Sequence, residues 1–217
     1  MEAPSERFEF SGIFLTHAHI GHYLGLAFLG HEAMGASKVP VFSMPRMTRF
    51  LQTNGPWSQL VAYKNIVLKP LQDNEAQNLG HLKVTPFLVP HRDEYSETVG
   101  YRIVGPNHSA IFIPDINKWH EWKTDIAQLV KTVDYALLDG GFFADGELPG
   151  RDMSLIPHPF VTQTMETLKH LSREDRNKVW FIHLNHTNPL LNPDSPESRK
   201  VKSEGFNIAI EGSRFGL

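Results

Sequence analysis

The apolar and polar positions of this chain fall into short β-rich runs separated by stretches of helical spacing, and no repeat, low-complexity tract or long linker interrupts the series. Runs rich in Val, Ile, Phe and Tyr, bounded by Gly, Pro or Asn, predict strands over 8–15, 39–43, 65–71, 82–89, 98–104, 109–113, 134–138, 179–182 and 207–210. Helical spacing predicts helices over 23–34, 45–53, 119–131, 162–171 and 196–203. The last is the best marked, with Ser195 placed to cap it, Pro196 in its first turn and Gly205 just beyond its end. Strands between residues 82 and 113 follow one another through short connections, whereas those on either side alternate with helices. That mixture predicts an α/β fold of sheets covered by helices rather than a purely parallel, doubly wound sheet.

Length and composition narrow the picture. A chain of 217 residues is the size class of one domain with a real core, with two small lobes as the alternative. Formal net charge is −3 and the basic residues are scattered, so no footprint for nucleic-acid binding is expected. The sequence contains no cysteine, which removes disulfides, thiolate nucleophiles and thiolate zinc sites and leaves nitrogen and oxygen as the only metal donors. No run is long enough to cross a bilayer, and the opening MEAPSERFEF is charged rather than signal-like, so a soluble, cytoplasmic protein without a membrane partner is expected.

Candidate chemistry concentrates first in "LTHAHIGHY", where His17, His19 and His22 follow an apolar run. Neutral imidazole ligates Zn, Fe and Mn, and a strand end followed by a tight turn aims alternate side chains, here His17 and His19, at one point. A lone histidine is usually a satisfied core or surface residue; three at this spacing favour a metal site.

"THAHIGH" resembles the H-x-H-x-D-H signature of the metallo-β-lactamase-fold hydrolases. Later landmarks come in that family's order: His91 in "LVPHRDEYSETVGYRI", Asp115 in "AIFIPDIN" and His183 in "VWFIHLNHTNP". Within the superfamily, "GPWSQL", "DGGFF" and "FIHLNHTNPLL" resemble the branch of coenzyme PQQ biosynthesis protein B. The resemblance implies a layered αββα sandwich formed by residues 1–217 as a single domain. It also implies incompleteness at the N-terminus, since family members usually carry several strands before the first histidine motif. It further implies one metal held by His17, His19 and His91, with Asp115 bridging to a second held by His22 and His183. A carboxylate suits the bridge because it offers two oxygens. His186 competes with His183, which is favoured by its place at the strand end; His186, Asp93 and Glu94 are candidates for the ring of residues around the ligands. Gly21 stands where the signature has its Asp, so the second site keeps His22, His183 and a share of Asp115, and Gly21→Asp is expected to raise its occupancy.

One or two divalent ions are therefore expected, Zn first, with Fe or Mn also compatible. A Zn-type ion brings its bound water to a pKa near about 7 and polarises an ester, lactone, amide or phosphodiester, so hydrolysis of a small-molecule substrate is the leading expectation. His158 in "SLIPHPFVTQTMETL" precedes a helix as a proton-donating histidine does in the tRNA-processing members, which makes it, with Asp115, the candidate catalytic residue. The alternatives are an iron-dependent oxygenase resembling the PQQ branch, or a non-catalytic metal-binding protein whose site has decayed. Asp139, ending a strand before Gly140 and Gly141, receives no firm role. Trp57 is read as a pocket wall or as core. A sheet edge left open would also allow a homo-oligomer.

Overall fold

The computed structural model describes residues 10–217. Its contacts divide the chain into two compact units, one running to Glu75 and including Asp93–Glu97, the other made of Ala76–Arg92 and Thr98–Leu217.

The described part of the first unit holds a three-stranded parallel sheet, β1 (Ile13–Phe14), β2 (Val39–Ser43) and β3 (Ile66–Pro70), in that order. Of the strand expected over 8–15, residues 8 and 9 lie outside the described residues, and the ladder is confined to Ile13–Phe14. Helix α1 (Pro45–Thr53) starts on the proline expected of a first turn and buries Met47 and Leu51, one helical turn apart, beside Val41 and Ile66. Helix α2 (Trp57–Ala62) was not expected from spacing; it forms because Trp57 and Leu60, three apart, enter the same core. Trp57 is thus core.

The helix expected over 23–34 is instead a 3-10 helix at Leu24–Leu29 followed by turns. Tyr23, Leu26 and Leu29 are the buried positions, and a repeat of three matches 3.0 residues per turn rather than 3.6. Gly25 and Gly30 also weaken an α-helix there, each by roughly 1 kcal/mol relative to alanine.

The second unit holds, among the described residues, a seven-stranded mixed sheet. Its strands are β4 (Gln77–Leu79), β5 (Leu82–Leu88), β6 (Val99–Val104), β7 (Ser109–Ile113), β8 (Tyr135–Asp139), β9 (Val179–Ile182) and β10 (Asn207–Ile208), in the order β10-β9-β8-β7-β6-β5-β4. Pairing is antiparallel from β4 to β7 and parallel from β7 to β10. Alternate residues Ile111 and Ile113, Ala136 and Leu138, Val179 and Phe181 are sealed from solvent, as a period of two requires of a sheet face turned to a core. That core is shared with α3 (Ile126–Lys131), α4 (Val161–Leu168) and α6 (Pro196–Ser203), whose side chains Val130, Leu168 and Val201 are equally buried. Each such side chain contributes about 1.5–3 kcal/mol over exposure.

The helix expected over 119–131 is split into a 3-10 turn at Trp119–Glu121 and α3. Asp125 makes the break, because its carboxylate accepts the backbone N–H groups of Ala127 (2.8 Å) and Gln128 (3.3 Å) and so caps a new helix. A short helix α5 (Arg173–Arg176), also unexpected, is capped by Ser172. No helix among the described residues is long and apolar enough to cross a membrane.

Candidate metal centre

In the second unit, strand direction gathers the chemistry. Strands β7, β8 and β9 run parallel, so their C-terminal ends lie along one edge of the sheet; β5, two antiparallel steps from β7, points the same way. Asp115 lies two residues past β7, Asp139 ends β8, His183 directly follows β9 and His91 lies three residues past β5. Ligand-bearing residues at the carboxyl ends of strands are the general arrangement of open α/β sheets.

These side chains meet. His183 Nδ1 lies 3.0 Å from Asp115 Oδ1 and 3.9 Å from Asp139 Oδ1, and His91 Nε2 lies 3.5 Å from Asp115 Oδ2. His158, from the loop before α4, brings Nδ1 to 2.7 Å from Asp139 Oδ2 and 3.8 Å from Asp115 Oδ1. Its main chain is fixed by Lys118, whose Nζ donates to the His158 carbonyl (2.6 Å) and to Gln163 Oε1 (3.1 Å). Asp139 is fully buried, and its carboxylate accepts the Gly141 N–H at 2.9 Å and the Ile116 N–H at 3.2 Å.

The turn after β8 is closely packed and favours glycine. A Cβ on Gly140 would stand 3.0 Å from the Ile182 carbonyl oxygen and from Phe181 Cβ, and one on Gly141 would stand 3.3 Å from Asp139 Oδ1. Asn188 Nδ2 donates to the Gly140 carbonyl at 2.7 Å, and the Asn185 N–H donates to the Gly141 carbonyl at 2.9 Å. These bonds hold the loop on which His183 sits at φ +60°, a left-handed conformation that costs a non-glycine residue about 1–2 kcal/mol.

Electrostatics follow from burial. Desolvation acts to raise the Asp139 carboxyl, but the His158 hydrogen bond and the neighbouring His183 outweigh it and hold the group below the usual carboxylate range. Burial acts to lower His158 and His183, yet the Asp139 hydrogen bond and the charges of Asp139 and Asp115 leave both imidazoles raised. Asp115, Asp139, His158 and His183 each present a donor atom within 4.8 Å of all the others. The two carboxylates and the His183 imidazole, with no sulfur among them, fit a divalent Zn, Fe or Mn ion in donor type and charge, while His158 Nδ1 is engaged by Asp139.

In the first unit, the histidines form a second concentration. His17 is 1 % exposed, its Nε2 lies 2.9 Å from His19 Nδ1, and its ring centroid lies 4.3 Å from that of His22. Residues 93–97 clamp this loop. Ser96 Oγ accepts the Ala18 N–H at 2.8 Å, Glu94 Oε2 lies 2.9 Å from His19 Nε2, and Arg46 donates to the Asp93 carbonyl at 2.7 Å. A carboxylate on a ring nitrogen fixes a histidine's tautomer; Glu94 makes that contact with His19, whereas Asp93 offers its main chain. Gly21 is exposed, with open space where a Cβ would point.

Each expected residue thus has a place. His17, His19 and His22 cluster in the first unit; His91, Asp115, His158 and His183 cluster in the second. His186 is exposed and stands outside both ligand groups found among the described residues. Asp139 is the participant that sequence reasoning left without a role. Its signal was available, since an aspartate closing an otherwise apolar strand, "YALLD", is a buried charge that needs partners.

A mixed α/β chain with histidine and aspartate gathered at the carboxyl ends of its strands is a metal-binding scaffold. Residues 3–184 match the profile of the beta-lactamase superfamily domain, and the chain belongs to that superfamily. It is 26% identical over 144 residues to coenzyme PQQ synthesis protein B of Acinetobacter baumannii (strain SDF), covering 61% of this chain and 46% of that protein. To the protein of the same name from Xanthomonas oryzae pv. oryzae it is 24% identical over 225 residues, covering 94% of this chain and 72% of the relative. The Zn(2+)-bound crystal structure of PqqB from Methylobacterium extorquens superposes with a TM-score of 0.78 at 21% identity, covering 95% of this chain and 73% of that one. The chain spans about half the length of the first curated relatives it matches, 46% and 57%. The fold class and the PqqB-like branch expected from the motifs are those of these relatives.

Proposed function

We propose that this chain is a metal-dependent hydrolase acting on an ester, lactone, amide or phosphodiester. The observation that supports it is the convergence of Asp115, Asp139, His158 and His183, two buried carboxylates and two imidazoles, at the ligand-bearing edge of a beta-lactamase-superfamily sheet. Following the family signature, His17, His19, His22, His91, Asp115 and His183 are the proposed ligands. A divalent ion held by these residues would supply Lewis acidity for hydrolysis near neutral pH.

The chain's own residues do the rest. Asp139 accepts from His158 Nδ1, and because an ionised carboxylate only accepts, the proton on that side of the ring belongs to Nδ1. When the ring is protonated on both nitrogens, His158 Nε2 carries the second proton and delivers it to the leaving group, leaving the Nδ1–H tautomer held by Asp139. His158→Ala is expected to lower turnover about 10²–10⁴-fold while metal content stays constant. Unchanged turnover would end that role.

The likeness to the PQQ synthesis proteins favours a second reading, an iron-dependent oxygenase, because imidazole and carboxylate donors suit Fe(II) as well as Zn(II). Metal identity by mass spectrometry on protein purified without added metal, followed by an ester, lactone and phosphodiester panel and oxygen-uptake measurements, separates the two. Zinc or manganese with hydrolysis supports the first reading; iron with substrate-dependent oxygen uptake supports the second. Metal without turnover in either assay overturns both in favour of a non-catalytic binder.

A further inference from the structure

We infer that Asp139 is a metal ligand of this chain, standing in for the signature aspartate whose position is taken by Gly21. The inference rests on the metal-dependent reading above. With glycine at position 21, the second ion has only one carboxylate, that of Asp115, in the ligand set the signature supplies. The second unit presents another. Asp139 ends β8 beside the end of β7, and its donor atom lies within 4.8 Å of those of Asp115, His158 and His183.

The two oxygens of Asp139 are set in different surroundings. Oδ2 accepts from His158 Nδ1 (2.7 Å) and from the Ile116 N–H (3.2 Å), so it is used in holding the ring. Oδ1 accepts from the Gly141 N–H (2.9 Å) and faces His183 Nδ1 at 3.9 Å, the same nitrogen that Asp115 Oδ1 approaches at 3.0 Å. A carboxylate oxygen has two lone pairs, and the Gly141 bond occupies one of those on Oδ1. Asp115 Oδ1 and Asp139 Oδ1 therefore both face His183 Nδ1, and two anionic oxygens with one imidazole nitrogen make a common catalytic count of three protein ligands with positions left open. Two buried carboxylates in one cluster concentrate negative charge, which suits a divalent ion. Asp139 would then hold the ion through Oδ1 while Oδ2 orients the proton-donating His158.

The test is metal content and affinity of the full chain, read by mass spectrometry and by titration with Zn(II) and separately with Mn(II). Asp139→Asn, near in shape, is expected to lose about one ion per chain or to weaken it at least about 10–100-fold, while His158→Ala keeps the wild-type metal content. Asp139→Asn with unchanged stoichiometry and affinity but slower turnover would overturn the inference and leave Asp139 as a residue that only orients His158. A wild-type chain that binds no ion at all would overturn the hydrolase reading itself. Should Asp139→Asn fail to fold, anomalous scattering from the metal-loaded wild-type protein decides the matter: density about 2.0–2.2 Å from Asp139 Oδ1 supports ligation, and an ion beyond reach of that oxygen overturns it.

Discussion

The histidine loop of the first unit and the strand-end cluster of the second solve the same problem by opposite means. In the loop, His17, His19 and His22 are neighbours in sequence, and their order comes from outside the ladder, through Ser96, Glu94 and Arg46. In the cluster, Asp115, Asp139 and His183 are far apart in sequence and are brought together by the parallel pairing of β7, β8 and β9. The first arrangement is as firm as a few side-chain bonds; the second is as firm as the core beneath the sheet. Perturbations of the core should therefore disturb the second cluster, and single hydrogen-bond deletions the first.

The largest expected effect is on that core. Leu138 is fully buried and immediately precedes Asp139, so Leu138→Ala should lower stability by about 2–5 kcal/mol and weaken metal binding with it. Leu51→Ala in α1, equally buried, should cost a similar amount in thermal or denaturant unfolding. Equal loss of metal affinity in both variants would break the comparison, because Leu51 carries no strand end.

Next in size is removal of the shared carboxylate. Asp115→Asn should weaken metal binding at least about 100-fold, roughly 2.7 kcal/mol, measured by titration with Zn(II). Smaller again is release of the clamp. Ser96→Ala strips the buried Ala18 N–H of its acceptor and should cost about 1–3 kcal/mol in stability. It should loosen the His17 and His19 rings, seen as line broadening of their NMR signals, and leave those of His158 sharp. Broadening of all three would show that the two concentrations do not behave separately.

The same contrast explains what the sequence revealed. The histidine loop was legible because its residues and spacing are local. Strands at 39–43, 109–113 and 179–182 and helices at 45–53 and 196–203 were legible for the same reason, since period and caps lie within each segment. Asp139 was legible only as a buried charge closing "YALLD"; its partners depend on β8 lying between β7 and β9, which no local pattern gives. The segment 119–131 hid its break because Asp125 reads equally as a surface position of one long helix or the cap of a shorter one.

The smallest effect sharpens the comparison from the opposite edge of the sheet. Asp134 precedes β8 and accepts from the N–H (2.7 Å) and hydroxyl (3.0 Å) of Ser109, the first residue of β7, tying together the strand starts rather than their ends. The Ser109 backbone bond, opposed by slight desolvation and aided by the Ser109 hydroxyl and the nearby His108, holds the Asp134 carboxyl below its ordinary range. A depressed carboxyl binds fewer protons folded than unfolded, so its contribution is complete above the unfolded value, about 3.9, and fades as pH falls through the lower folded value. Its side chain is 49% exposed, and solvent screening limits the contribution to less than about 1 kcal/mol. Asp134→Asn should therefore flatten the acid limb of the stability curve slightly and leave metal affinity untouched. A loss of metal binding in that variant would mean that the starts of β7 and β8 govern the geometry of their ends, and that the cluster depends on the whole ladder rather than on its carboxyl edge.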